Sequence, residues 1–441
     1  MTMRLLRAGL AMALAAALFG CAPRSHVTEV EIQRFFGECN AEYGAVRRAS
    51  EAEGECGVMT ALVNEFNAAN PDVRVRVNIV PWPGYYQLSA QLAAGDPPDL
   101  VTMHLSSIPD YQVRGLLTPM SAGLAEVGVE ASIFTTAARN GVSVDGEIYG
   151  LPIDNWAPLW HINMNLFREA GLVRNGRPVL PRSPEELLAQ ARQFTEATGK
   201  PYFVQSMANE RAAYTRNLYT LMMQQNAVVF PNRHSIRLQT PEARRVLQLF
   251  KDIYDQNLTT KNQDYSAATT GFMNGQGGVY LVGTWMIGDF ERESQRAQSP
   301  LADGYAVVPY PQLYPGRDAT FVDGHAWVMP ADDERTPEQT AALYRLLAFF
   351  AERDFDWART GHIPAMEAVI RDPQFLALPH RGEIARLAEI GVSLPPEVQR
   401  QFTIQDIIGD EMASAITGAK SIDRALADAE HRVNDLLYHI L

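Results

Sequence analysis

The stretch at residues 279–290, VYLVGTWMIGDF, combines a short β-rich apolar run, a turn at Gly283-Thr284-Trp285 and the first turn of a helix. Open α/β sheets place ligand contacts where a strand ends at its carboxyl side. The stretch therefore predicts an α/β fold in which Trp285 forms one wall of a binding cleft. The alternative is that Trp285 packs in the core, which is the more common position of a Trp beside an apolar strand.

The length and composition of the chain indicate a globular protein of several domains. The 441 residues are 46% hydrophobic and 20% charged, which is enough for two or three domains with sizeable cores. Lys and Arg number 38 against 51 Asp and Glu, for a net charge of −13. This excess of acidic groups argues against nucleic acids and anionic membrane surfaces as partners.

The amino terminus has the features of an export signal. Arg4 and Arg7 precede an apolar run at 8–19 that is too short to span a bilayer. The run ends in Leu-Phe-Gly followed by Cys21, which resembles the lipobox of bacterial lipoproteins. The resemblance implies a signal peptide at 1–20, a lipid on Cys21 and a tether at 21–26, so that the lipid is the only attachment to a membrane. Because Phe19 is bulky for a lipobox, an ordinary secretory signal stays open as the alternative.

The remaining cysteines form an even pair. With Cys21 acylated, Cys39 and Cys56 are left in an exported protein, and we expect a disulfide between them. The alternative is two free thiols. The bridge would tie both ends of an acidic insertion after the first strand, whose carboxylates, Glu55 among them, we interpret as a solvated loop. Metal binding needs more ligands than this segment offers, and no metal site is expected.

The first part of the chain reads as a β-α-β-α-β series. Strands at 27–36 and 73–80, helices at 58–70 and 85–94, and a third strand leading to Met103 and His104 follow one another. Such a series favours a parallel, doubly wound sheet. A second series starts near 159–163, with helices opened by Ser183, Thr240 and Thr336 as N-caps. Residues 336–441 are predicted to be almost entirely helical.

Ten stretches, in this order, carry a resemblance to a known family: FNAANPDVRVRV (66–77), QLAAGDPPDLVTMH (91–104), RGLLTPM (114–120), DGEIYGLPIDN (145–155), NMNLFREAGL (163–172), SPEELLAQARQF (183–194), GGVYLVGTWMIGDFE (277–291), DGHAWVMP (323–330), TGHIPA (360–365) and TGAKSIDRALADAEHRV (417–433). The chain resembles the extracellular solute-binding proteins of bacterial ABC sugar importers, of the maltose-binding-protein-like type. The acidic insertion is its main departure from that pattern, and it puts ligand contacts at 37–43 in doubt.

The resemblance implies two doubly wound α/β lobes joined by a hinge, as in class II periplasmic binding proteins, with a helical carboxyl-terminal part. We expect an N-terminal lobe at 27–152 and 304–335, and a C-terminal lobe at 153–303 and 336–441. The function implied is capture of a small solute in the cleft, without a cofactor, by a monomer that delivers it to the transmembrane subunits of an ABC permease.

By position, the resemblance assigns ligand contacts to twelve residues: Trp82, His104, Ser106, Asp154, Asn155, Trp156, Asn209, Tyr214, Trp285, Asp323, Gly324 and His325. Sugar rings stack their C–H faces on flat aromatics, and their hydroxyls need charged or amide partners. Because these segments contain almost no Arg or Lys, a neutral sugar or polyol fits better than an anion. Trp327 and Trp160 are expected in the core, whereas His104 and His325 fit a structural role equally well.

The competing function is an exported glycosidase. It would need two positioned carboxylates, and Asp154, Glu210 and Asp323 are the candidates that the cleft segments offer. The sequence contains no GxSxG, HExxH or P-loop motif. A binding protein that is not an enzyme is therefore the preferred interpretation.

Overall fold

The computed structural model describes residues 27–205 and 211–439. The expected signal peptide, the tether with Cys21, and the expected ligand residue Asn209 lie outside these residues. Within them, no helix combines the length and the apolar character that crossing a membrane requires.

Strands and helices alternate through most of the chain. The strands are Thr28–Arg34, Val73–Ile79, Leu100–His104, Ser143–Val144, Glu147–Ile148, Leu151–Trp156, Pro158–Asn163, Val173–Arg174, Arg177–Pro178, Phe203–Val204, Val279–Gly283, Tyr305–Pro309, Thr320–Phe321, Asp323–Val328, Ile363–Pro364 and Gly391–Val392. The α-helices are Asn40–Tyr43, Gly54–Ala69, Tyr85–Ala94, Ile108–Gln112, Ser121–Glu126, Thr136–Val142, Met164–Glu169, Pro184–Thr198, Arg211–Met223, Pro241–Asp255, Tyr265–Met273, Ile287–Ser294, Pro337–Glu352, Asp354–Ala358, Glu367–Ile370, Pro373–Leu376, Arg381–Ile384, Leu387–Ile390, Gln401–Ile416 and Ile422–Tyr438.

The first sheet forms the centre of the first lobe. Its strand order is Ile363–Pro364, Leu151–Trp156, Asp323–Val328, Leu100–His104, Thr28–Arg34, Val73–Ile79. The last three strands are parallel, as the β-α-β series predicts, whereas Asp323–Val328 runs antiparallel to both of its neighbours. Trp327 is 1% exposed and lies in the core of this lobe, as expected.

The second sheet forms the centre of the second lobe. Its order is Phe203–Val204, Val279–Gly283, Pro158–Asn163, Tyr305–Pro309. The first two strands are parallel, and Pro158–Asn163 is antiparallel to the strands on both sides. The fully buried Trp160 packs in the core of this lobe, as predicted. The two-lobed α/β architecture is therefore confirmed, although both sheets are mixed.

Two segments lie in a different lobe from the one expected. Tyr305–Pro309 pairs with Pro158–Asn163 in the second sheet, although the sequence assigned 304–335 to the first lobe. Helix Pro337–Glu352 buries Leu343 and Leu346 in the core of the first lobe, although 336–441 was assigned to the second. The spacing of apolar residues shows that one face of a helix is buried, but it does not show which sheet covers that face.

The chain passes between the two lobes near 156–158 and near 321–323. Strand Leu151–Trp156 of the first sheet leads directly into Pro158–Asn163 of the second, and Thr320–Phe321 is followed at once by Asp323–Val328 of the first sheet. Further on, helices Gln401–Ile416 and Ile422–Tyr438 pack into the second lobe.

The acidic insertion is tied by the expected disulfide. Cys39 and Cys56 are bonded, with their Cα atoms 6.1 Å apart. Cys56 lies in the first turn of helix Gly54–Ala69, which begins four residues earlier than the sequence analysis placed it. The bridge therefore links the loop after the first strand to the start of that helix.

We predict that replacing both cysteines, Cys39→Ser with Cys56→Ser, lowers the free energy of unfolding by about 3 kcal/mol. The reason is that the disulfide joins two residues that are 17 positions apart in the sequence and so reduces the conformational entropy of the unfolded chain. Urea denaturation of oxidised wild type and of the double variant measures the difference. A loss below about 1 kcal/mol would show that the bridge does not stabilise the fold in this way.

Candidate functional site

A buried carboxylate joins the crossing strands. Asp154 is fully buried on strand Leu151–Trp156. Its Oδ1 accepts hydrogen bonds from the backbone nitrogen of His325, at 3.2 Å, and from His325 Nδ1, at 2.9 Å. Its Oδ2 accepts a bond of 2.7 Å from Trp357 Nε1 and lies 3.6 Å from His362 Nδ1. Because a buried carboxylate is stable only when it is paired or hydrogen-bonded, these contacts fix the relative position of the segments that provide them.

The charges in this cluster support one another. Burial opposes ionisation of Asp154, but His325 and His362 outweigh it and lower the pKa of this carboxyl group. Burial likewise opposes protonation of His362, but Asp154 and Glu55 outweigh it and raise the pKa of the imidazole above its usual value. The imidazole lies between two carboxylates, since His362 Nε2 is 2.8 Å from Glu55 Oε1 and Nδ1 is 3.6 Å from Asp154 Oδ2.

A second carboxylate organises the neighbouring crossing. Asp323 accepts hydrogen bonds from Ser106 Oγ at 2.6 Å, from the Ser106 backbone nitrogen at 3.1 Å and from the Gly324 nitrogen at 2.8 Å. A Cβ on Gly324 would lie 2.2 Å from the carbonyl oxygen of Asp154, so only glycine fits between the two strands. Asn155 Nδ2 donates to the Asp323 carbonyl oxygen at 3.4 Å. These polar groups therefore hold the crossing strands together.

A cavity of about 460 Å³ opens beside this junction. Its volume lies within the range of about 300–1,000 Å³ that is typical of small-molecule sites. Both lobes contribute to its lining, which consists of Phe35, Phe36, Gly37, Glu55, Trp82, His104, Trp156, Arg216, Tyr265, Trp285 and His325. We call it the interlobe cavity.

Aromatic rings make up most of the wall of the interlobe cavity. Trp156 and Trp285 meet edge to face with their ring centres 5.5 Å apart. Trp285 Nε1 donates a 2.9 Å hydrogen bond to the Tyr265 hydroxyl, which fixes the orientation of the indole. On the first lobe, Trp82 is 49% exposed and packs edge to face against the ring of His104. Flat, held rings of this kind suit the C–H faces of a ligand.

The start of helix Gln401–Ile416, which belongs to the second lobe, reaches across to the first. The ring of Phe402 lies 4.8 Å from that of His104, 5.2 Å from that of Tyr85 and 5.8 Å from that of Trp82. The backbone nitrogen of Arg400 donates a 2.6 Å bond to Asp110 Oδ1 of the first lobe. The lobes are thus in direct contact beside Trp82 and His104 of the cavity wall.

The structure brings five of the expected ligand residues to the cavity wall, namely Trp82, His104, Trp156, Trp285 and His325. Five others form the junction beside the cavity and are absent from its lining: Ser106, Asp154, Asn155, Asp323 and Gly324. Tyr214 was expected on a cleft loop. It lies instead on helix Arg211–Met223, where the residue is 5% exposed in the core of the second lobe and absent from the cavity lining.

The sequence analysis missed several residues of the wall. Arg216, on the same helix as Tyr214, places its Cζ 4.5 Å from the centre of the Trp156 ring and donates from Nε to Gln405 Oε1 at 3.3 Å. Glu55, interpreted from sequence as part of a solvated loop, lines the cavity and pairs with His362. A charged residue inside an otherwise buried helix, as at Arg216, is the signal that could have identified the first of these.

Among the described candidates, neither Asp154 nor Asp323 has the free carboxylate that a glycosidase needs. Asp154 and Asp323 are each bound by several protein donors and are absent from the cavity wall. Glu210 lies outside the described residues. Oxygens held in this way favour a structural role over acid–base catalysis.

Asp154, His325 and His362 are the described residues whose donor atoms come close enough together for a metal ion, within 4.8 Å of one another. Both oxygens of Asp154 already accept hydrogen bonds from His325 or Trp357. The donor set therefore fits a hydrogen-bonded chain better than a metal centre.

Two mixed α/β lobes, crossing strands between them and a cavity with walls from both define a two-lobed ligand-binding protein. Comparison with known proteins agrees. The family model of bacterial extracellular solute-binding proteins matches residues 61–383. The chain therefore belongs to this family of bacterial extracellular solute-binding proteins, and it is an exported protein.

Relatives and solved structures match over most of their length. A putative binding protein of Brucella abortus is 23% identical, with 90% of this chain and 94% of the relative covered. The sn-glycerol-3-phosphate-binding periplasmic protein of Pectobacterium atrosepticum is 22% identical, with 87% and 89% covered. Maltose-bound T. maritima MalE3 is similar with a TM-score of 0.76 and 20% identity over 93% of this chain and all of that one. A ribitol complex of a solute-binding protein from Agrobacterium radiobacter has a TM-score of 0.74 and 18% identity, covering 93% and 98%.

We predict that the stabilising effect of His362 is lost as the pH rises. A raised pKa in the folded state means that the imidazolium stabilises the fold fully below about pH 6.5, the unfolded value, and no longer does so above the folded pKa. The difference in unfolding free energy between wild type and His362→Gln should therefore be largest near about pH 5–6 and shrink at higher pH.

Urea denaturation across this pH range measures the effect. His234→Gln removes an exposed imidazole and is the matched control, for which we expect a small difference at every pH. A stability difference for His362→Gln that grows with pH would contradict the assignment.

Proposed function

We propose that the protein captures a neutral sugar or polyol in the interlobe cavity and delivers it to the membrane subunits of an ABC importer. The observation that carries this proposal is the set of three tryptophans, Trp82, Trp156 and Trp285, around a cavity of about 460 Å³. Pyranose rings and extended polyols present C–H faces that stack on such surfaces. The maltose and ribitol complexes among the similar structures support the same class of solute.

Capture involves movement of the two lobes about the crossing segments. The cavity takes its walls from both lobes, so a bound solute contacts both and favours the closed arrangement. No chemical step is proposed, because the carboxylates at the junction are occupied by protein donors. The protein acts as a monomer without a cofactor.

We further propose that the protein works in the periplasm, attached to a membrane through a lipid on Cys21. Support comes from the lipobox-like sequence and from family membership, since several acyl chains hold a soluble domain stably at a membrane surface. The first described strand starts at Thr28, so only a short tether would separate the lipid from the first lobe.

We predict that a neutral sugar or polyol raises the melting temperature of the mature protein. A ligand at about 100 times its Kd adds about 2.7 kcal/mol to the unfolding free energy. Thermal unfolding with maltose, tagatose, ribitol and, as an anionic comparison, sn-glycerol 3-phosphate measures the shift. Stabilisation by the phosphate ester alone would overturn the proposed class of solute.

Replacing Trp285 by alanine should lower the affinity for that solute at least about tenfold, because a stacking surface is removed from the cavity. The apo variant should still unfold cooperatively, since Trp285 is only partly buried. Isothermal titration calorimetry measures the affinity. Tyr86→Ala, which removes a 95% exposed ring, is the control and should bind normally. Collapse of the apo Trp285→Ala variant would show that this residue is core.

A further inference from the structure

The acidic insertion and the interlobe cavity meet at one point. Gly37, at the start of the insertion, and Glu55, at its end, both line the cavity. The disulfide lies directly behind them, since Cys56 follows Glu55 in the chain and a Cβ on Gly37 would lie 3.7 Å from the Cβ of Cys56. Gly37 has a φ of +79°, a conformation that glycine adopts without strain. The disulfide therefore determines the position of Glu55 in the cavity wall.

A second set of contacts holds the Glu55 carboxylate from the protein interior. Oε1 lies 2.8 Å from Nε2 of the fully buried His362, whose other ring nitrogen faces Asp154. The Glu55 side chain is nevertheless 30% exposed, on the cavity wall. A carboxylate offers about four acceptor positions on two oxygens, and His362 uses one of them. Acceptor capacity thus faces the space where a solute would lie.

The second lobe contributes the complementary charge to the same cavity. Arg216, from the second lobe, also lines the cavity, and a guanidinium only donates hydrogen bonds whereas a carboxylate only accepts them. A hydroxyl group does both. A solute with several hydroxyls can therefore donate to Glu55 on one lobe and accept from Arg216 on the other, which an anionic group next to Glu55 could not do without repulsion.

We propose that Glu55 is a solute-binding residue, a carboxylate that accepts hydrogen bonds from hydroxyl groups of the solute and is positioned by the Cys39–Cys56 disulfide. This inference rests on the proposed function for the class of solute. It adds a ligand contact from the insertion, the segment in which this chain departs from the pattern of its family. The bridge thereby acts on affinity as well as on stability.

The first experiment compares Glu55→Gln with Glu51→Gln. The glutamine keeps an oxygen that can accept from His362 but loses the charge, and we expect the affinity to fall about 10- to 100-fold, as for the loss of a charge-assisted hydrogen bond. Glu51 belongs to the same insertion, pairs with Arg48 at the surface and is absent from the cavity wall. Its variant should bind as wild type does.

The probe is whichever of maltose, tagatose and ribitol binds the wild-type mature protein most tightly by calorimetry. Glu55→Gln affinity within twofold of wild type, with the wild type binding normally, would overturn the role of Glu55 and leave the proposed function intact. Failure of the wild type to bind any of the three would overturn both. If Glu55→Gln has lost cooperative thermal unfolding, Glu55→Asp replaces it. Aspartate keeps the negative charge but has a side chain one methylene shorter, which moves the carboxylate away from the solute, and we also expect weaker binding for this variant.

The second experiment tests the role of the bridge. In a background with Cys39→Ser and Cys56→Ser, the affinity should be lower than in wild type, and Glu55→Gln should reduce it by a smaller factor than in the oxidised protein, because the carboxylate is no longer held in place. Equal reduction factors in the two backgrounds would show that the disulfide does not position Glu55.

Discussion

The structure depends on one carboxylate kept in the interior. Asp154 lies where the chain leaves the first sheet for the second. It accepts hydrogen bonds from strand Asp323–Val328 and from helix Asp354–Ala358, and its Oδ2 lies 3.6 Å from His362 Nδ1. An ionised carboxylate without these partners would be strongly unfavourable in such a place, so the segments that carry them must return to Asp154 for the protein to fold. The junction of the lobes is thus specified by electrostatics, whereas each lobe around it is specified by the packing of apolar side chains.

Much of the fold follows from the sequence, because it depends on local pattern. The alternation of apolar and polar residues in 73–80 predicted the strand Val73–Ile79. The apolar run that ends at the Gly283 turn predicted the strand Val279–Gly283. The sequence did not predict which lobe each segment belongs to. The apolar face of helix Pro337–Glu352 could cover either sheet, and only the folded structure shows that it packs in the first lobe. Long-range pairing, as between Tyr305–Pro309 and Pro158–Asn163, is equally invisible in local periodicity.

The sequence predicted those residues of the cavity wall that lie at the ends of strands, because strand ends can be located from the sequence. Trp156 is the last residue of one buried strand and Trp285 follows another, and both lie on the cavity wall. Asp323, a polar residue expected from its position to contact ligand, accepts hydrogen bonds from the backbone nitrogens of Ser106 and Gly324, and the residue type alone does not distinguish these two roles. Arg216 lies within a helix and Glu55 next to a disulfide, so neither belongs to the pattern that strand ends provide.

The contacts of Phe402 have a consequence for the speed of exchange. Its ring bridges the lobes through His104, Tyr85 and Trp82, and the backbone of Arg400 is bonded to Asp110 nearby. Separating the lobes breaks these contacts whether or not a solute is present, so they set a barrier that belongs to the protein alone. In the proposed opening of the lobes, the residence time of a solute depends in part on Phe402 and on the bond between Arg400 and Asp110, which are absent from the cavity lining, and substitutions of these residues would change the rates of entry and escape together.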